Sequence, residues 1–96
     1  MEVEIRFCMN SDIIDCPEEI IPDLMVYQKD FFNWLYDERI NHRYWVSNNG
    51  IKYVCYRSEA FSEWLNEFVL MNSEKKAEVI KSHVPIVIRE CPVLHF

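Results

Sequence analysis

The sequence predicts an α+β fold: a small, mainly antiparallel sheet of about four strands, including a 42–56 hairpin, covered by two or three helices. Three observations lead there. Val3, Ile5 and Phe7 alternate with charged neighbours at the period of a half-buried strand. Asn48-Asn49-Gly50 separates two short runs rich in aromatic and β-branched residues. Phe61, Trp64, Leu65 and Phe68 recur at helical spacing. A chain of 96 residues leaves room for one core, so a single domain over 1–96 is expected.

The elements follow in chain order. The first strand runs through Val3–Phe7, with Glu2, Glu4 and Arg6 on its opposite face. Met9 to Pro22 is irregular, broken by one short helical turn at Asp15-Cys16-Pro17-Glu18-Glu19, whose acids suit the positive end of a helix dipole. Pro22 disfavours helix at Ile21 and opens a new one. From Asp23 to Asp37, Leu24, Tyr27, Phe31 and Leu35 mark one apolar helix face, although Leu24–Tyr27 also fits a short strand. His42–Ser47 and Ile51–Tyr56 form the hairpin, because Asn-Gly supplies the positive φ angles of a type I′ turn. On its second strand Ile51, Tyr53 and Cys55 face one way and Lys52, Val54 and Tyr56 the other. Neither face is purely polar, so the hairpin is expected to touch protein on both sides for part of its length. Cys55 is expected to be buried, and Cys8, at the end of the first strand, likewise.

Ser58 reads as the N-cap of the next helix, with Phe68 on its buried stripe. Asn72-Ser73 breaks that helix and caps another, Glu74–His83, on which Ala77 and Ile80 continue an apolar stripe toward Val84. Pro85 ends it, and Ile86-Val87-Ile88 reads as a buried strand.

Composition narrows the function classes. Half the residues are apolar and 15% are aromatic, which argues for a packed, ring-rich core against a disordered chain. No apolar run approaches the roughly 20 residues a membrane-spanning helix needs. Met1-Glu2-Val3-Glu4 lacks the basic head and apolar core of a secretory signal. Cys8, Cys16, Cys55 and Cys91 are therefore expected as reduced thiols in a cytoplasmic protein.

Charge is unevenly placed. The net charge is −6, yet residues 1–38 hold ten acids and two bases. Residues 39–57 reverse this, with Arg39, Arg43, Lys52 and Arg57 and no acid. An acidic chain repels phosphate backbones, so nucleic acid is not the expected partner.

Motifs for catalysis are absent. No family signature surrounds any Cys, and the carboxylates near Cys16 would raise its pKa and blunt a thiolate. Cys91 and His95 with Cys8 and Cys16 lack the tight paired spacing of structural zinc. The acidic run Asp12, Asp15, Glu18, Glu19 and Asp23 lacks the alternation and central Gly of a calcium loop. One Gly cannot build a phosphate loop. No enzyme, metal or cofactor is expected.

The expectation is a small acidic protein-binding protein: a stoichiometric inhibitor, of the immunity-protein, antitoxin or anti-defence type, of a nucleic-acid-handling protein. Its partner-facing charges are Asp12, Asp15, Glu18, Glu19 and Asp23, with Tyr27 or Trp34 as aromatic anchors. The alternatives are a single-stranded nucleic-acid module using the basic aromatic hairpin 42–57, and a homo-oligomeric scaffold domain joined at an edge strand.

Overall fold

Alternation at the N-terminus yields β1 (Glu2–Arg6), and the chain turns back at once into β2 (Ser11–Asp15). A computed structural model describes residues 1–96. After β2 come a 3-10 helix (Glu18–Asp23), α1 (Leu24–Leu35), β3 (Trp45–Asn48), β4 (Ile51–Val54) and α2 (Ser58–Trp64). A π-helical turn (Leu65–Val69), β5 (Glu78–Val84) and β6 (Val93–His95) complete the order. The fold is α+β, with six strands in two sheets and two α-helices.

The main sheet has the order β5-β2-β1-β6 and is mixed: β1 pairs parallel with β6, while the β1–β2 and β2–β5 pairings are antiparallel. The 42–56 hairpin is not part of it; β3 and β4 form a separate two-stranded sheet. Asn49 and Gly50 both take positive φ at its tip, 52° and 78°, as the Asn-Gly turn requires. Its second strand meets the core on one side, where the sequence predicts contact on both. Val54 and Tyr56 pack against the core, whereas Tyr53 and Cys55 are exposed.

The two faces of the sheet are covered differently. Val3 and Ile5 of β1, Ile14 of β2 and Leu94 of β6 share one face, beneath α1 and α2, and belong to the core. Phe31 of α1 lies at its centre, with Phe61 5.3 Å away at a 63° edge-to-face angle. The opposite face carries Glu4, Ser11 and Ile13, also buried. There the connection from β5 to β6, residues 85–92, must cross the sheet from one edge to the other. Two-sided cover removes the polar–apolar alternation from β2, so Ser11–Asp15 reads as irregular in sequence yet is a strand.

The segment expected as a helix over 74–83 is strand β5 from Glu78 onward. Val79, Ile80 and Val84 are β-branched, and β2 would otherwise leave its ladder groups unpaired along that edge. The Asn66 side chain seats the strand's start, donating Nδ2–H to the Ala77 carbonyl at 2.9 Å and accepting the Ala77 amide at 2.7 Å. Ile86-Val87-Ile88, expected as a buried strand, lies in the strap across the sheet, and Ile88 is fully exposed. Proline at 85 and 92 bounds this strap, and Val93–His95 supplies the edge strand in its place.

Phe68 departs from the stripe on which sequence places it. The π-helical turn, closed by the Leu70 amide on the Leu65 carbonyl at 2.7 Å, shifts the side chains that follow. Phe68 is left 49% exposed, beside Trp34 rather than inside the core. No helix is long and apolar enough to cross a membrane.

Candidate protein-binding surface

The acidic run divides into one buried carboxylate and four at the surface. Asp12 follows Ser11 on β2 and points at the helix layer, opposite Ile5. Its carboxylate accepts the Ser58 hydroxyl at 2.6 Å, the Arg57 guanidinium at 2.7 Å and the His83 amide at 3.0 Å. The Ser58 amide adds a longer bond at 3.3 Å. Asp12 therefore caps α2 from another strand, a role expected of Ser58, which is itself the first helical residue. Burial alone would raise the Asp12 carboxyl, but the bonds from Arg57, Ser58 and His83 outweigh it and hold it at about 2. To deliver its amide, His83 adopts a φ of 55°, in the left-handed region. Asp12 is not a partner-facing charge, because a carboxylate 1% exposed and already satisfied has nothing to offer a partner.

Asp15 closes β2 and is half-exposed, 2.9 Å from the Met1 amine. Pro17 then ends the extended chain and the 3-10 helix begins, with Glu18 and Glu19 in its first turn. Ile20 is buried and Ile21 packs against the core, which turns Glu18, Glu19 and Asp23 outward. No Lys or Arg lies within ion-pair distance of those three. Asp15 and Glu18 also line an open cleft of about 490 Å³, joined there by Glu74 and Glu78 and by Lys75 and Lys76.

Directly after these acids, the first turn of α1 presents Met25, 78% exposed, and Val26, 58% exposed. Sequence reasoning missed both, although a signal existed. Leu24–Tyr27 is four apolar residues in a row, and a helix cannot turn them all toward one core. Leu24 is buried and Tyr27 half-buried, so Met25 and Val26 are left outside. Tyr27 and Trp34, expected as anchors, pack against the core instead, with Trp34 stacked on His42 at 4.4 Å.

The basic hairpin region is largely neutralised within the chain. Arg39 pairs with Asp37 at 2.9 Å, Arg43 with Glu63, and Arg57 with Asp12. Lys52 lies 4.5 Å from the centroid of Trp45. The thiols are equally unsuited to concerted chemistry. Burial pushes Cys16 up to about 12, while Cys8 and Cys55, expected to be buried, are exposed. No group of three or more His, Cys, Asp and Glu side chains is arranged to hold a metal ion.

From Glu18 to Val26 the surface sets three carboxylates without an ion pair beside the exposed side chains of Met25 and Val26. No protein-family model, no curated protein and no solved structure matches this chain.

Proposed function

We propose that this chain is a small protein-binding protein whose Asp15–Val26 surface engages a partner with a basic face, acting as a stoichiometric inhibitor of a nucleic-acid-handling protein. The observation that carries the reading is the adjacency of Glu18, Glu19 and Asp23, exposed and without a cation, to the exposed side chains of Met25 and Val26. Stable interfaces combine an apolar centre with a polar rim, and charge complementarity raises the encounter rate and rejects wrong partners. Proteins that handle nucleic acid carry basic clefts that such a surface complements.

The competing nucleic-acid reading is weakened by Arg39, Arg43 and Arg57, each of which is paired with a carboxylate of the same chain. A hairpin left with Lys52 as its one unpaired cation has little with which to track a phosphate backbone.

The test is capture from a lysate of the native host, comparing the wild-type chain with Glu18→Lys/Glu19→Lys/Asp23→Lys and with Met25→Ser/Val26→Ser. The reading expects one stoichiometric partner with a basic surface, retained by wild type and lost by both variants at unchanged thermal stability. Retention of that partner by both variants would place its binding surface elsewhere.

A further inference from the structure

A second site lies at the other end of α1 and stands apart from the acidic-surface reading. Trp34, near the C-terminal end of α1, meets Tyr44 and Phe68 at near-perpendicular ring angles, 69° and 61°. Beneath them, Trp34, Tyr44, Ala60 and Trp64 bound a pocket of about 250 Å³, with Glu63 and Glu67 also in its wall. Tyr44 and Trp64 are buried below the surface and offer fixed, desolvated aromatic walls.

The charges in this pocket are arranged for a cation. Glu63 and Glu67 are four residues apart across the junction of α2 with the π-helical turn, a spacing at which like charges on a helix repel. Such a pair persists at low cost when a cation lies between or beside it. One already does. The Arg43 guanidinium pairs with Glu63 and lies 5.1 Å from the centroid of the Tyr44 ring, within cation–π range. The Tyr44 hydroxyl also donates to Glu63, and burial with that bond pushes the phenol up to about 12, so it remains a donor. Glu67 has no cation. The π-helical turn is a second pointer, since such insertions in helices concentrate at functional sites.

We propose that this pocket binds an alkylammonium or guanidinium group, held by the carboxylates of Glu63 and Glu67 against the rings of Trp34, Tyr44 and Trp64. Arg43 is the resident occupant of part of the site. An incoming cation takes the free carboxylate of Glu67 and competes with Arg43 for Glu63. The same chemistry is offered by a free amine and by a Lys or Arg side chain of a polypeptide.

Lysinamide and argininamide are titrated into the isotopically labelled chain, and the indole N–H signals of Trp34 and Trp64 are followed by NMR. All are used with the α-amine acetylated, so that norleucinamide, of similar size to lysinamide and carrying no charge, is the control. Saturable shifts are expected with both cations and not with the control. Glu67→Gln, at an exposed position, should weaken binding about fivefold, as loss of one carboxylate–cation contact implies. Arg43→Ala should strengthen it about threefold by removing the internal competitor. A terminally blocked pentapeptide with central Lys, compared with n-butylammonium, distinguishes the sources: tighter binding of the peptide identifies a polypeptide side chain, and equal or tighter binding of n-butylammonium identifies a free amine. Absence of saturable shifts with every cation, equal shifts with norleucinamide, or unchanged affinity in both variants overturns the assignment.

Discussion

Arg89 Nη1 stands 2.9 Å from Glu4 Oε1, and this ion pair fastens the 85–92 strap to the sheet face that it crosses. Glu4 has no exposure, yet it is fully satisfied, accepting also from Arg6 Nε at 2.8 Å and the Ser11 hydroxyl at 2.7 Å. A second bond from Arg89 reaches the Pro85 carbonyl at 2.8 Å, so one guanidinium joins the strap's start to the strand beneath. Removing the carboxylate leaves two cations facing a dry sheet. Glu4→Ala should therefore cost about 3 kcal/mol in urea unfolding. Arg89→Ala, which leaves Arg6 and Ser11 on Glu4, should cost less and speed amide exchange in β6 more than in α1. Equal effects of the two substitutions would contradict this arrangement.

Glu4 and Asp12 also set the acid limit of the fold. Burial works against both charged forms, but the hydrogen bonds to Arg6, Ser11 and Arg89, and to Arg57, Ser58 and His83, hold each carboxyl at about 2. Their ordinary values are 4.5 and 3.8, so the unfolded chain takes up protons first as pH falls. The stabilisation is complete above those ordinary values and is lost as pH drops through them toward 2. By this linkage Glu4 contributes roughly 3 kcal/mol or slightly more and Asp12 roughly 2 kcal/mol. Urea midpoints should be flat above pH 5 and fall steeply toward pH 2, with a shallower fall in Asp12→Asn. A midpoint independent of acid would contradict the account.

The Asn66–Ala77 clamp explains how a segment with helical periodicity becomes a strand. Asn66 lies on the π-helical turn, and its amide imitates a neighbouring strand at the buried start of β5. Asn66→Ala leaves the Ala77 amide and carbonyl without partners and should destabilise by about 2 kcal/mol. Amide exchange should quicken first in β5. Protection in β5 equal to wild type would show that β2 alone holds the strand.

The thiols give a chemical map of burial. Cys16 is 1% exposed with its thiol raised to about 12, mainly by burial. Cys8 and Cys55 are exposed and Cys91 is partly so. With Ellman's reagent, Cys8 and Cys55 should react at once in the native protein and Cys16 only on unfolding. Rapid reaction of all four would place Cys16 wrongly.

Legibility in the sequence followed the strength of local signals. The 12-residue α1 and the Asn-Gly hairpin rest on periodicity and turn chemistry that need no tertiary context. β2 is hidden because Asp12 and Ser11 are buried polar residues whose partners lie on other elements, Glu4 on the adjoining strand and Ser58 46 positions away. The stretch 74–84 carries helix-compatible spacing, and two tertiary features decide otherwise, the open edge of β2 and the Asn66 side chain at Ala77. At the candidate surface, charge counting found the acids but could not separate Asp12, satisfied inside the fold, from Glu18, Glu19 and Asp23 outside it. Arg57, 45 positions away in sequence, makes that difference.

The most direct measurement of the central claim is the ionic-strength dependence of association between this chain and its captured partner. Electrostatic steering predicts an association rate that falls at least tenfold between about 50 and 500 mM salt, and a much flatter dependence when Glu18, Glu19 and Asp23 are reversed to Lys. An association rate insensitive to salt, or one whose salt dependence survives the reversal, would contradict the acidic surface as the face that finds the partner.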